Sequence, residues 1–157
     1  MPKKLLKKGE LHLTDIKTTG LVTTPPYMVS LEEWQAGETY QPEKIGVLIQ
    51  ADTRIEALDS LKPGFDFIGI QFNSFSDGRG FSFASQIRSI LHFEGDIRAC
   101  GELIADQIAL LFKCGFSSIE LPESLDEMQI SEFVTPFSES YQSHLQSPAP
   151  LYQRVNR

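Results

Sequence analysis

From residue 45 onward, short apolar runs alternate with amphipathic segments. Four runs predict strands at 45–49, 67–72, 96–100 and 118–121. Between them, apolar residues recur every three to four positions, which is typical of helices that lay one face on a sheet. Strands that alternate with helices pair in parallel, because each helix returns the chain to the same end of the sheet. The pattern therefore predicts an α/β fold with four successive strand–helix units.

Capping signals indicate where several of the helices begin. The pattern Ser/Thr-x-x-Glu, in which two residues satisfy each other's backbone donors, occurs at Ser30, Thr53 and Ser124. Ser82 is the predicted N-cap of the helix that follows the second strand. Gly101 is predicted to lead from the third strand into a long helix. The sequence therefore predicts one helix start after each of the four core strands.

The order of the elements leaves two arrangements of the parallel sheet open. One is a small doubly wound sheet, and the other is a half-barrel-like curl that a second copy could complete as a homodimer. Residues 1–40 alternate irregularly and predict a short N-terminal β-rich section with a hairpin around Gly9. We expect a single domain over 1–157, in which this section packs on an α/β core at 45–145.

Composition and charge indicate which kinds of molecule this protein is not suited to bind. The chain has 157 residues, of which 41% are hydrophobic, and a formal net charge of −7. An acidic surface disfavours nucleic acid and anionic membranes, because phosphate binding requires a basic surface. No apolar run reaches the ~20 residues of a membrane span, and the basic N-terminus lacks the apolar centre of a signal peptide. We expect a soluble, cytoplasmic protein with no nucleic-acid or membrane partner.

Cysteines and sequence motifs give no indication of a cofactor. The two cysteines, Cys100 and Cys114, do not form a CxxC pair, and we expect both to be reduced. Glycine-rich nucleotide motifs and clusters of metal ligands are absent from the sequence. The sequence therefore predicts neither a metal nor an organic cofactor.

The turn after the second predicted strand is the candidate site. It reads Asp-Gly-Arg-Gly (DGRG), and it lies where ligands bind in parallel sheets, at the carboxyl ends of the strands. Arginine offers a forked donor for oxoanions, and a helix N-terminus adds backbone N–H groups. We therefore predict a small-anion or phosphorylated-ligand site formed by Asp77, Gly78, Arg79, Gly80, Ser82, Arg98 and Glu102. Secondary candidates are Arg88, Asp106, Gln107 and Cys100.

A purely structural interpretation of the same residues stays open. Asp77 could pair with Arg79 or with Arg98 and form a satisfied salt-bridge network. Acidic residues in the first turn of a helix, such as Asp106, also favour the helix dipole without any catalytic role. Sequence order suggests no catalytic triad, and the catalytic residues stay unassigned.

The segment from Phe67 to Leu121 resembles a known bacterial family. It reads FIGIQFNSFSDGRGFSFASQIRSILHFEGDIRACGELIADQIALLFKCGFSSIEL, and the combination DGRGFS…DIRACGE…DQ is highly specific. It is similar to the bacterial proteins grouped as domain of unknown function 934. The matching positions are Phe72, Phe75, Asp77, Gly78, Arg79, Gly80, Ser82, Ala84, Arg88, Gly95, Arg98, Ala99, Gly101, Asp106, Gln107, Cys114, Gly115 and Phe116.

The chain departs from the pattern of that family at four positions. Asn73 stands for the usual proline, Phe81 for tyrosine, Glu102 for aspartate, and Ala105 for a common arginine. The resemblance implies an oxidoreductase or accessory component of assimilatory sulfite reduction, with a sulfite or nitrite reductase as partner. It agrees with an anion site at the DGRG turn, because sulfite is an anion. The alternative is a non-catalytic scaffold that docks on the reductase, in which the turn is purely structural.

Overall fold

The computed structural model describes residues 3–9, 13–16, 27–37, 45–58, 61, 64–122 and 124–134. Seven strands form one sheet: β1 (Lys3–Lys7), β2 (Leu13–Ile16), β3 (Tyr27–Ser30), β4 (Ile45–Gln50), β5 (Phe67–Phe72), β6 (Asp96–Gly101) and β7 (Ser118–Pro122). The helices are α1 (Leu31–Ala36), α2 (Arg79–Ser89), α3 (Ile108–Lys113) and α4 (Glu127–Val134), with 3₁₀ turns at Ile55–Leu58 and Ala105–Gln107. None of the helices in these ranges is long and apolar enough to cross a membrane.

The sheet is mostly parallel, as predicted. Its order is β2-β1-β7-β6-β5-β4-β3, and neighbours from β3 to β7 all pair in parallel. The four predicted core strands are confirmed, each to within a residue. β1 pairs antiparallel with both β2 and β7, and Gly9 lies in the hairpin between β1 and β2 with a φ of 82°. The predicted N-terminal β-rich section is thus confirmed, but its third strand joins the parallel sheet.

Strand order separates the two arrangements that the sequence left open. A doubly wound sheet reverses its strand order at a switch point, whereas β3 to β7 follow one another in chain order. Right-handed crossovers then put every connecting helix on the same side of the sheet. The burial agrees, since Leu58, Ile87 and Leu111 of the connecting segments join one core cluster with Ile70 and Ile97. The parallel part therefore has the half-barrel-like order.

The other side of the sheet carries none of the helices in the described ranges, and we call it the helix-free face; it has a different chemistry. Side chains alternate along a strand, so the neighbours of the core residues point to this face. It contains Gly46, Leu48, Phe67, Gly69, Gln71, Asp96, Arg98, Cys100, Ser118 and Glu120. Arg98, Ser118 and Glu120 are the buried polar residues of the described chain, and all three belong to this face.

Several predicted helix starts are wrong, although the first capping box is confirmed. Ser30 and Glu33 cap α1 reciprocally, at 3.2 and 2.8 Å. α2 begins at Arg79, three residues before the predicted cap Ser82, because the Asp77 carboxylate already accepts the Arg79 N–H. The box predicted at Thr53 precedes only a 3₁₀ turn.

The fourth helix uses a different box from the predicted one. Asp126 accepts the N–H of Gln129 at 2.7 Å, and the Gln129 side chain accepts the N–H of Asp126 at 3.1 Å. This pair displaces the predicted start at Ser124. The long helix predicted after Gly101 is also shorter, since a 3₁₀ turn precedes α3. Residues 135–145 of the predicted core lie outside the described residues.

Candidate functional site

Asp77 and Arg79 form a bidentate ion pair within the DGRG turn that follows β5. The Nε and Nη2 of Arg79 lie 2.9 and 2.7 Å from the two carboxylate oxygens of Asp77, and the backbone N–H of Arg79 donates to the same carboxylate at 3.2 Å. These side-chain and backbone hydrogen bonds from Arg79 lower the pKa of Asp77 to about 2. The same pairing raises the pKa of Arg79 above its usual value. At neutral pH the turn therefore holds a fixed carboxylate and guanidinium.

A second carboxylate approaches Arg79 from the neighbouring strand. Asp52 follows β4, and its Oδ2 lies 3.6 Å from Nη1 of Arg79. The side chains of both residues are 61% exposed, so water screens this contact strongly. One guanidinium thus lies between two carboxylates at the carboxyl ends of adjacent parallel strands.

The two glycines of the turn have different structural roles. A Cβ on Gly80 would lie 2.4 Å from the ring of Phe72, so glycine lets α2 pack closely on β5. Gly78 has an ordinary helical φ of −73°, and a Cβ there would meet nothing within 4 Å. Gly80 is buried, and it serves the packing of the turn.

Gln107 joins the DGRG turn to the segment after β6. Its Nε2 donates to the carbonyl of Phe75 at 2.7 Å, and its Oε1 accepts the N–H of Ile104 at 3.2 Å. Phe75 and Ile104 are 56% and 43% exposed, although both are large and apolar. One buttressing amide therefore holds two exposed apolar residues at this end of the sheet.

We call this region the edge surface, and it consists of Phe75, Ile104, Asp52, Asp77 and Arg79. Neither Phe75 nor Ile104 is predicted from the sequence as a functional residue. A signal was available for Phe75, because a large aromatic residue stands alone among the small polar residues of the turn. Ile104 gave no such signal, since it fits the apolar stripe of the predicted helix.

Three other predicted residues lie at the same end of the sheet. Glu102 follows β6, Asp106 lies in the 3₁₀ turn before α3, and Ser82 lies in the first turn of α2; all three are exposed. The backbone N–H of Glu102 donates to the carbonyl of Phe72 at 2.9 Å. Within the described ranges none of these three side chains hydrogen-bonds to Arg79. They add polar and acidic groups at the same end of the sheet as the edge surface.

Arg98 does not join Arg79. It pairs in register with Gly69, three residues before the end of β6, and its side chain belongs to the helix-free face. Its guanidinium contacts Ser118 and Asp96 at 3.3 Å each and lies over the ring of Phe67, with Cζ 4.0 Å from the ring centroid. The structure therefore does not bring Arg98 together with Arg79; of the two predicted partners, Arg98 or Glu102, Glu102 lies at the same end of the sheet as Arg79.

Arg88 clamps two loops at the opposite end of the sheet. It donates to the carbonyls of Gly115 and Gly95 at 2.9 and 2.7 Å and to that of Phe93, and it reaches the Ser117 hydroxyl at 2.7 Å. Burial lowers the pKa of Arg88 below its usual value. With these acceptors, Arg88 stabilises the loops that precede β6 and β7.

The two cysteines are separate, as predicted, and neither forms a disulfide. Cys100 is buried on the helix-free face, with its Sγ 3.9 Å from Sδ of Met28. Burial raises the pKa of the Cys114 thiol. Over the residues that the structure describes, no group of three or more His, Cys, Asp or Glu side chains could hold a metal ion.

Comparison with known proteins supplies the family. The family model described as "Bacterial protein of unknown function (DUF934)" matches residues 46–152, which include the DGRG turn, β6 and β7. No curated protein and no solved structure matches the chain significantly. The match covers more than half of the sequence, and the chain belongs to the bacterial DUF934 family.

Proposed function

We propose that this protein is a non-catalytic accessory component of assimilatory sulfite reduction, which docks on a sulfite or nitrite reductase through the edge surface. The pathway comes from the family resemblance. The observation that carries the docking role is the pair of exposed apolar residues, Phe75 and Ile104, held by one amide beside a fixed ion pair.

The geometry at Arg79 supports the structural interpretation of the DGRG turn. Both oxygens of Asp77 bind the guanidinium, and Asp52 lies against its third nitrogen. An incoming anion would have to compete with two carboxylates already in place. The ion pair instead fixes the start of α2, because the carboxylate that binds the guanidinium also accepts the Arg79 N–H.

The rest of the edge surface has the composition of a protein-binding site. Interfaces combine an apolar centre, often aromatic, with a polar rim. Phe75 and Ile104 supply the apolar centre, while Asp52, Asp77 and Arg79 supply charges around it. Since Gln107 already fixes the backbone of both apolar residues, docking costs little conformational entropy.

A binding measurement with purified sulfite reductase tests this function. We expect the double variant Phe75→Ala/Ile104→Ala to bind at least ~10-fold more weakly, as for residues at the centre of an interface. The matched control is Leu110→Ala, since Leu110 is similarly exposed (50%) but lies on α3. Equal binding by the double variant, the control and the wild type would contradict the proposal.

A small-anion site at Arg79 is the second candidate function. It is favoured by the 61% exposure of the guanidinium and by the long 3.6 Å contact to Asp52, which a stronger acceptor could replace. Melting temperatures measured with sulfite, sulfate, phosphate and adenosine phosphosulfates test it, because a ligand of the native state raises the melting temperature. Arg79→Ala should abolish this rise and stay folded. A variant that keeps the rise would exclude the site.

A further inference from the structure

Arg98 is a buried charge whose hydrogen-bonding capacity is only partly used. Its exposure is 7%, and the other buried charged residue of the described chain is Glu120 at 6%. Nε donates to the Ser118 hydroxyl, and Nη2 donates to Asp96. Nη1 has no hydrogen-bond partner within the described part of the chain. A guanidinium has five N–H donors, so the edge formed by Nη1 and Nη2 stays open.

The surroundings hold that open edge in one place. The guanidinium stacks on the ring of Phe67, and the ring itself lies over Gly46, where a Cβ would come within 2.2 Å of it. The Ser118 hydroxyl donates to both oxygens of Asp96 at 2.8 and 2.9 Å and so fixes the carboxylate. Arg98 is therefore anchored by stacking from one side and by hydrogen bonds along its Nε–Nη2 edge.

A buried donor without an acceptor is costly, and native proteins usually supply an acceptor from water or a ligand. The Asp96 side chain is 31% exposed, so the cluster reaches solvent at the start of β6. An ion could therefore reach the guanidinium from that end of the sheet. Asp96 and Glu120 are acidic neighbours of Arg98 on this face, and Lys7 lies opposite Ser118 on the same face. The Arg98–Asp96 pair is neutral as a unit.

We propose that the open Nη1–Nη2 edge of Arg98 binds a small oxoanion on the helix-free face. The ligand class is one with two oxygens that match the guanidinium fork, such as a carboxylate, sulfite, sulfate or phosphate. This site is independent of the edge surface and of Arg79, since it lies within β6 on the helix-free face, whereas the edge surface lies at the carboxyl ends of the strands.

Calorimetric titration with sulfate, sulfite and acetate at constant ionic strength tests the proposal. Arg98→Lys keeps the positive charge but loses the fork, and we expect its affinity to fall ~10-fold or more. Arg54→Ala is the matched arginine control, since Arg54 is exposed and belongs to neither candidate site, and it should bind like the wild type. Asp96→Asn keeps an acceptor for Ser118 and removes a competing negative charge, so it should bind more tightly.

The combination of variants separates the outcomes. Weaker binding by Arg98→Lys together with tighter binding by Asp96→Asn supports the site. If Arg98→Lys fails to fold, the affinity of Asp96→Asn for the anion decides between the outcomes. A site that holds only water binds no anion, so its anion affinity could not rise in Asp96→Asn. Unchanged binding in Asp96→Asn, or binding lost in Arg79→Ala and kept in Arg98→Lys, would overturn the proposal; the latter would place the anion at the DGRG turn.

Discussion

Gly80 lies directly against the ring of Phe72, so that the backbone of helix α2 packs on a side chain of strand β5. A Cβ at Gly80 would come 2.4 Å from the ring's Cζ, whereas a Cβ at Gly78 would meet nothing. The ring is fully buried between Phe81 and Phe116 and has little room to shift. The second glycine of the DGRG turn is thus required by packing.

The first prediction compares these two glycines. Gly80→Ala should lower the free energy of unfolding by about 1–3 kcal/mol, the usual cost of overpacking. Gly78→Ala should change it by less than about 1 kcal/mol, because φ and space both admit alanine. Chemical denaturation of the two variants measures the difference. Equal stability would show that α2 adjusts freely over Phe72.

The second prediction concerns the titration of Asp77. Its folded pKa of about 2 lies below the ordinary value, so its contribution to stability is complete above the unfolded pKa of about 3.9. That contribution is lost as the pH falls through about 2. An NMR titration of the Asp77 carboxyl carbon checks the midpoint. Arg79→Ala should raise the midpoint only in part, because the backbone N–H at position 79 still donates. A midpoint near 3.9 in the wild type would rule out the ion pair.

The third prediction concerns the Arg88 clamp. Arg88→Met should lower the free energy of unfolding by roughly 3 kcal/mol, since it leaves several partly buried carbonyls without a donor. Arg54→Met is the control, because Arg54 is exposed and its side chain donates no hydrogen bond within the described residues. Thermal unfolding compares the two. Equal melting temperatures of the two variants would show that Arg88 does not stabilise the loops before β6 and β7.

The fourth prediction concerns thiol reactivity. Intact mass should show two reduced cysteines, and Cys114 should react with a thiol reagent more slowly than an exposed cysteine, because its raised pKa leaves less thiolate. Cys100, which is 2% exposed, should react only on unfolding. Cys114→Ser should remove the faster phase. Faster labelling of Cys100 would contradict this burial.

The core strands could be predicted because burial on a sheet imposes its pattern directly on the sequence. β3 was missed as a parallel strand, since four residues carry too little periodicity and the pairing with β4 is set by tertiary contacts. Strand order is likewise a property of the packed sheet. The starts of two helices were mispredicted because two capping residues lie close together in each case. The capping residue in the structure is Asp77 instead of Ser82 for α2, and Asp126 instead of Ser124 for α4, and local spacing does not show which of the two is used.

The charged residues of the candidate site were harder to place than the strands. Asp77 could pair with Arg79 or Arg98, and charge alone favours neither. The alternation of side chains along β6 does distinguish the two, because Ile97 and Ala99 face the helices and Arg98 therefore points to the other side of the sheet. The open edge of Arg98 had no sequence signal at all, since it depends on which donors the neighbouring strands occupy.

The position of β1 also has a consequence for how the chain acquires its fold during synthesis. The parallel units can add to the sheet one after another as they emerge, since each strand pairs with the one made before it. β1 cannot pair with the parallel strands until late in synthesis, because its partner β7 is the last of the described strands to be made. Closing so long a loop is entropically slow. We therefore expect a nascent chain that ends before β7 to keep its first hairpin undocked, and the docking of that hairpin to be the step that completes the native sheet.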